Sequence, residues 1–223
     1  MTNLYMLTTT PKSAAVIRKS LRVYLKMSCG DFSYLLTMRN KLVGGAPVAP
    51  EAMEEVRALL TTMAAMLFNN ALTPSEESMA STTRNTKALL SKIRSGEALD
   101  TGECRTVSVA CEVLARLQVG QIRTAVEYLP TSGYWSYSSR VDNMWDVDAR
   151  IKKLLFGLDP STSLGVGHRE ASWEKDVAFS THMVIRHRLS WDERPEGGMT
   201  VNFDRPMNWY SKVPLVVITK VDL

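Results

Sequence analysis

The sequence predicts an α+β protein: an N-terminal helical bundle over about residues 11–157, packed with a small C-terminal antiparallel sheet over about 180–222. Three observations predict it. Apolar residues recur at three- and four-residue spacing through the first two thirds of the chain. Short loops with Gly, Pro or a capping residue separate these runs. After Pro160 the pattern turns to alternation of period two. The 223 residues, 45% hydrophobic and 22% charged, have ordinary globular usage and can form a real core. They read as a single compact unit, mainly helical over 1–158 and mainly β over 159–223.

"NLYMLTTT" (3–10) reads as a short strand with Leu4, Met6 and Thr8 on one face. Pro11 stops it. "KSAAVIRKSLRVYLKMS" follows as a helix, with Ile17, Leu21, Tyr24, Leu25 and Ser28 on an apolar face and Gly30 placed to end it. Asp31 would cap a second helix, "FSYLLTMRNKLV". "GGAPVAP" (44–50) is a linker, because its Gly pair and two prolines cannot continue a helix. Pro50 then opens "EAMEEVRALLTTMAAMLFNNAL", with Glu51, Glu54 and Glu55 near the positive end of its dipole. "TPSE" (73–76) starts the next helix, with Thr73 as N-cap and Glu76 as its capping-box partner, and Gly96 ends it. "DTGE" (100–103) starts another, carrying Val107, Ala110, Cys111, Leu114 and Leu117 on one side. "QIRTAVEYL" stops before Pro130, and "MWDVDARIKKLLFGL" is a further helix. Beyond Pro160, "HMVIRHRLSW" (182–191), "MTVNFD" (199–204) and "VPLVVITKV" (213–221) read as three strands of a meander.

Several function classes recede on composition. "MTNLYMLTTT" lacks the basic start and apolar run of a signal peptide. The most apolar helical stretch, "ALLTTMAAMLF", is too short and too broken by Thr to span a bilayer. Three cysteines, Cys29, Cys104 and Cys111, are too few and too odd in number for a disulfide framework. The expectation is a soluble, cytoplasmic protein with reduced cysteines.

No motif marks a catalytic or metal centre. Cys104 and Cys111 are seven apart, wider than zinc pairs, and suit a core-facing helix position. His182 and His187, on a strand, would face opposite sides, and His168 follows "SLGVG" in a loop. No Gly-x-Ser-x-Gly elbow marks a nucleophile. "GLDPSTSLGVG" (157–167) lacks the Gly-Lys-Ser/Thr end of a phosphate loop. Asp142, Asp146 and Asp148 could form a carboxylate site, but acids at a helix start suit its dipole equally. Neither a cofactor nor a metal is expected.

Two features point outward. The net charge of +4 arises at one end: residues 1–50 carry Lys12, Arg18, Lys19, Arg22, Lys26, Arg39 and Lys41 against Asp31 alone, or +6, and the remainder sums to −2. Arg18, Lys19, Arg22 and Lys26 follow about two turns of one helix, a geometry that can track a phosphate backbone, and Arg39 and Lys41 would extend the patch. Tyr134, Trp135 and Tyr137 in "YWSYS" are the second feature, flat rings that can stack on bases or anchor a protein.

The leading expectation is a non-enzymatic nucleic-acid-binding protein of a phage, virus or mobile element, contacting backbone without sequence specificity. Its weak single-site affinity would suit a homo-oligomer or larger assembly. The alternatives are a protein-interaction module, meeting an acidic partner and using the aromatic surface, and an enzyme whose site is dispersed in sequence. Salt dependence separates the first from the others, and a pocket of convergent polar groups would favour the third.

Overall fold

The computed structural model describes residues 3–37, 49–67, 76–129, 140–159, 165, 172–197 and 212–221. Among them the chain runs β1 (Leu4–Thr8), α1 (Pro11–Ser28), a short 3-10 turn (Ser33–Thr37), α2 (Pro50–Leu67), α3 (Glu76–Ser95), β2 (Leu99–Asp100), α4 (Thr101–Leu117), α5 (Ile122–Glu127), α6 (Arg140–Phe156), α7 (Trp173–Glu193) and β3 (Val217–Val221). The α+β class holds.

α4 is the centre of the packing. α1 lies against one side of it and α7 against another, and α4 with α7 is the most extensive pairing of elements. Cys104, Val107, Ala110, Cys111, Leu114 and Leu117 are buried along one side of α4, and Ser108, Glu112, Val113 and Ala115 are buried on the others, so the helix has no wholly wet face. Asp100 ends β2 and caps α4 at once: its carboxylate accepts from the Glu103 N–H at 2.8 Å, while Glu103 accepts from the Asp100 N–H at 2.9 Å. α1 is capped in the same way. Thr10 accepts from the Ser13 N–H at 3.1 Å and Ser13 accepts from the Thr10 N–H at 2.8 Å, with Pro11 in the first turn. Gly30, at φ +84°, follows the helix end in a conformation that costs any other residue.

The sheet is antiparallel in the order β2-β1-β3. β1 is central, pairing Leu4 with Asp100 on one side and Tyr5 with Lys220 on the other. Tyr5 is buried and Leu7 packs beside the core, so the face opposite Leu4, Met6 and Thr8 covers the helices.

One segment overturns its sequence reading. Residues 182–191 lie inside the helix α7, not in a strand. The apparent alternation of Met183, Ile185, His187 and Leu189 is a coincidence of hydropathy. Among its eight buried positions, Lys175, Ala178, His182, Ile185 and Leu189 recur at three and four residues, the period of a helix face. Polar residues on the inner face hid that period. Of the helix expected over 32–43, the described part is the 3-10 turn at Ser33–Thr37, where the Asp31 carboxylate accepts from the Ser33 N–H at 2.9 Å. The expected strand at 199–204 and the cap at Thr73 lie outside the described residues.

Candidate polyanion face and interhelical cleft

α1 turns ten of its eighteen residues inward, among them Val16, Ile17, Leu21, Tyr24 and Met27. At about 100° per residue the remaining arc carries Lys12, Arg18, Lys19, Arg22 and Lys26 and no acid. These cations are not equivalent. Lys19 is half-buried, its Nζ 2.6 Å from the Glu174 carboxylate of α7 and 5.8 Å from the Tyr34 ring centroid. Burial works to lower its pKa, but Glu174 and Tyr34 outweigh that and hold it above the ordinary lysine value. Lys26 is exposed and pairs with Asp31 at 3.1 Å. Burial pulls the Asp31 carboxyl upward, yet its hydrogen bonds from Ser33 and the Lys26 charge leave it below the usual range. Arg22 is exposed and Arg18 half-buried, and among the described residues no ion pair reaches either. The stripe thus retains Arg18, Arg22 and the flanking Lys12 as uncompensated charge. The acids Glu54 and Glu55 are engaged elsewhere, with Arg57 and Arg150. Arg39, Lys41, Tyr134, Trp135, Tyr137 and His168 lie outside the described residues.

The remaining sequence candidates are structural in their surroundings. Cys104 and Cys111 are buried in α4, and burial pushes both thiols up to about 12. Such thiols are poor nucleophiles and poor ligands at neutral pH. Asp148 is buried, accepting from the N–H of Arg123 in the first turn of α5 at 3.3 Å and pairing with Lys152 at 2.7 Å. Asp146 is exposed, and the side chain of Asp142 lies outside the described residues. Among the described residues no group of three metal-binding side chains assembles. His187 accepts from the Trp191 indole N–H at 2.9 Å.

His182 has different surroundings, which the sequence reading missed. α4 presents Arg105, Ser108 and Glu112 at spacings of three and four, and α7 presents His182, Arg186 and Ser190 at spacings of four. Together with Val109, Tyr128 and Leu189 they line an open cleft of about 440 Å³. At its floor, His182 Nδ1 lies 3.0 Å from Ser108 Oγ, and His182 Nε2 lies 3.4 Å from Glu112 Oε2. Arg116 donates to the other Glu112 oxygen from Nε at 3.2 Å and Nη2 at 2.9 Å. Ser108 Oγ also lies 3.3 Å from the His182 carbonyl oxygen, and His182 Nδ1 lies 3.2 Å from that of Ser108. Phe179 stacks on the imidazole at 5.9 Å. Burial lowers the His182 pKa below 6.5; Glu112 opposes that shift, and Arg186 and Arg116 add to it. The ring is therefore neutral at pH 7. Burial and the adjacent Glu112 carboxylate push the Tyr128 phenol up.

A sequence signal for this site existed. Ser108 and Glu112 interrupt the apolar run "VSVACEVL" four residues apart, and a carboxylate in a buried helix face needs a partner. One partner, Arg116, stands four residues on, while the other, His182, is 70 residues further along the chain, and nothing local names it.

No helix among the described residues is long and apolar enough to cross a membrane. No family model, curated protein or solved structure matches the chain.

Proposed function

We propose that the chain binds a polyanion, nucleic acid foremost, through the open face of α1, without reading sequence. One observation carries this reading: the solvent-facing arc of α1 holds five cations and no acid, with Arg18 and Arg22 uncompensated. A merely solvated helix face ordinarily mixes signs. The two arginines, four residues apart, are about one turn apart on the helix and can reach neighbouring phosphates. Lys12, seven residues before Lys19, lies in line with Lys19 at the other edge of the same cationic arc. Lys19 and Lys26 contribute less, because phosphate must compete with Glu174 and Asp31.

Few contacts of this kind give a Kd of about 10⁻⁴–10⁻⁶ M at physiological salt. The test is Arg18→Glu with Arg22→Glu, measured by fluorescence anisotropy on single- and double-stranded DNA at about 50 and about 200 mM salt. Wild-type binding should weaken steeply with salt, and the double variant should lose it while its circular dichroism stays that of the wild type. A wild type that does not bind at low salt, or a variant that binds equally well, overturns the reading.

A further inference from the structure

A polyanion-binding face makes no use of the polar series at the floor of the α4–α7 cleft. We propose that this series is an acyl-transfer site: Ser108 is the nucleophile, His182 its general base, Glu112 the group that orients the imidazole, and the substrate a small carboxylic ester. A nucleophile within hydrogen-bond reach of a base, itself oriented by a third group, is the arrangement such chemistry requires. Ser108 Oγ and His182 Nδ1 are 3.0 Å apart, and Glu112 faces the other ring nitrogen.

The tautomer follows from Glu112. Arg116 donates twice to its carboxylate, and the second oxygen faces His182 Nε2 at 3.4 Å. Each ring nitrogen faces an oxygen that can only accept, Nε2 the Glu112 carboxylate at 3.4 Å and Nδ1 the Ser108 carbonyl at 3.2 Å. The carboxylate carries the full charge and is the stronger acceptor, so we place the proton on Nε2 and leave the Nδ1 lone pair to the serine hydroxyl at 3.0 Å. A base must also be unprotonated at working pH, and burial of His182 secures that. The remaining lining suits an ester. Val109 and Leu189 offer an apolar wall for an acyl chain, and Arg186, whose charge already acts on the His182 ring, places a cation beside a developing oxyanion. The volume of about 440 Å³ falls within the usual span of small-molecule sites.

In the first step Ser108 Oγ attacks the ester carbonyl and its proton passes to His182 Nδ1. The bond to the alcohol oxygen then breaks, and the alcohol leaves with that proton. Water attacks the acyl-serine, giving a proton to Nδ1. Collapse releases the carboxylic acid and returns the proton to Ser108 Oγ. One ester and one water give one acid and one alcohol, with no redox change.

The experiment treats the full chain with a fluorophosphonate probe and with p-nitrophenyl butyrate. Peptide mass spectrometry should find one phosphonyl adduct, on Ser108. Release of p-nitrophenolate should fall by about 10²–10⁴-fold in Ser108→Ala. Wild-type protein that carries no adduct on Ser108, or hydrolysis unchanged in Ser108→Ala, overturns the proposal. Should Ser108→Ala not fold, as circular dichroism would show, adduct mapping on the wild type decides alone. The inference goes beyond the polyanion reading and is independent of it: DNA binding by Ser108→Ala should equal that of the wild type.

Discussion

α1 and α7 pack against the same central helix, α4, yet they place their polar residues oppositely. α1 buries a mainly apolar face, with Ser13, Ser20 and Ser28 its only polar members, and sends its cations outward. α7 buries Lys175, Ser180, Thr181 and His182 and leaves Trp173 partly exposed. The interior of α1 is therefore held by area removed from water, which is non-directional. The interior of α7 adds to the apolar Val177, Ala178, Ile185 and Leu189 a set of directed contacts, each with a named partner: Lys175 with Asp176 at 2.7 Å, Thr181 with the Val177 carbonyl at 2.8 Å, His182 with Ser108. Chemistry on an outer face advertises itself in a sequence, whereas chemistry on an inner face reads as a break in the pattern.

The contrast can be broken most strongly in the core of α1. Leu21 is fully buried, and Leu21→Ala should destabilise the protein by about 2–5 kcal/mol in urea unfolding. A loss under about 1 kcal/mol, the size of a single hydrogen bond, would mean that α1 is not held by its apolar face.

The helix starts sharpen the comparison at a smaller scale. Thr10 makes a complete capping box, whereas Ser172 makes no side-chain capping bond and its hydroxyl donates to Gln118, the C-cap of α4, instead. Thr10→Ala should cost about 0.5–2 kcal/mol by the same unfolding assay. Gly in place of Thr10 should recover most of that loss, because Gly is tolerated at an N-cap. Equal losses in both variants would assign Thr10 a role other than capping.

The smallest expected effect is a pH dependence that belongs to α7 alone. His182 is neutral in the folded chain, with its pKa below 6.5, facing Glu112 and Arg116 of α4, Arg186 of its own helix and the stacked Phe179. As pH falls, the unfolded chain takes up the histidine proton first. The stability this group contributes is complete above its unfolded value of about 6.5 and is lost as pH falls from there through the folded value. The urea midpoint should drop between about pH 7.5 and about pH 5.5, and the drop should shrink in His182→Gln. A midpoint equally pH-dependent in the variant would place the proton uptake elsewhere.

By itself the sequence determined the class, α1, the start of α4 and the strands at both chain ends. These rest on local physics: the apolar period of Ile17, Leu21 and Tyr24, the Asp100–Glu103 capping box, and the β-branched run before Val221. It also determined the cationic stripe, because charge and helical period are both local properties. Only the tertiary structure decided the rest. The pairing of β1 with β3 joins residues more than 200 positions apart, and no local preference encodes that choice. That Lys19 does not stay uncompensated was decided by Glu174, delivered to it from α7 across 155 residues. The helical state of 182–191 was decided by α4, whose Ser108 and Glu112 supply partners that make burial of His182 affordable. A polar residue can face a core only where another element brings its hydrogen-bond partner, so its burial is a property of the assembled pair rather than of its own segment.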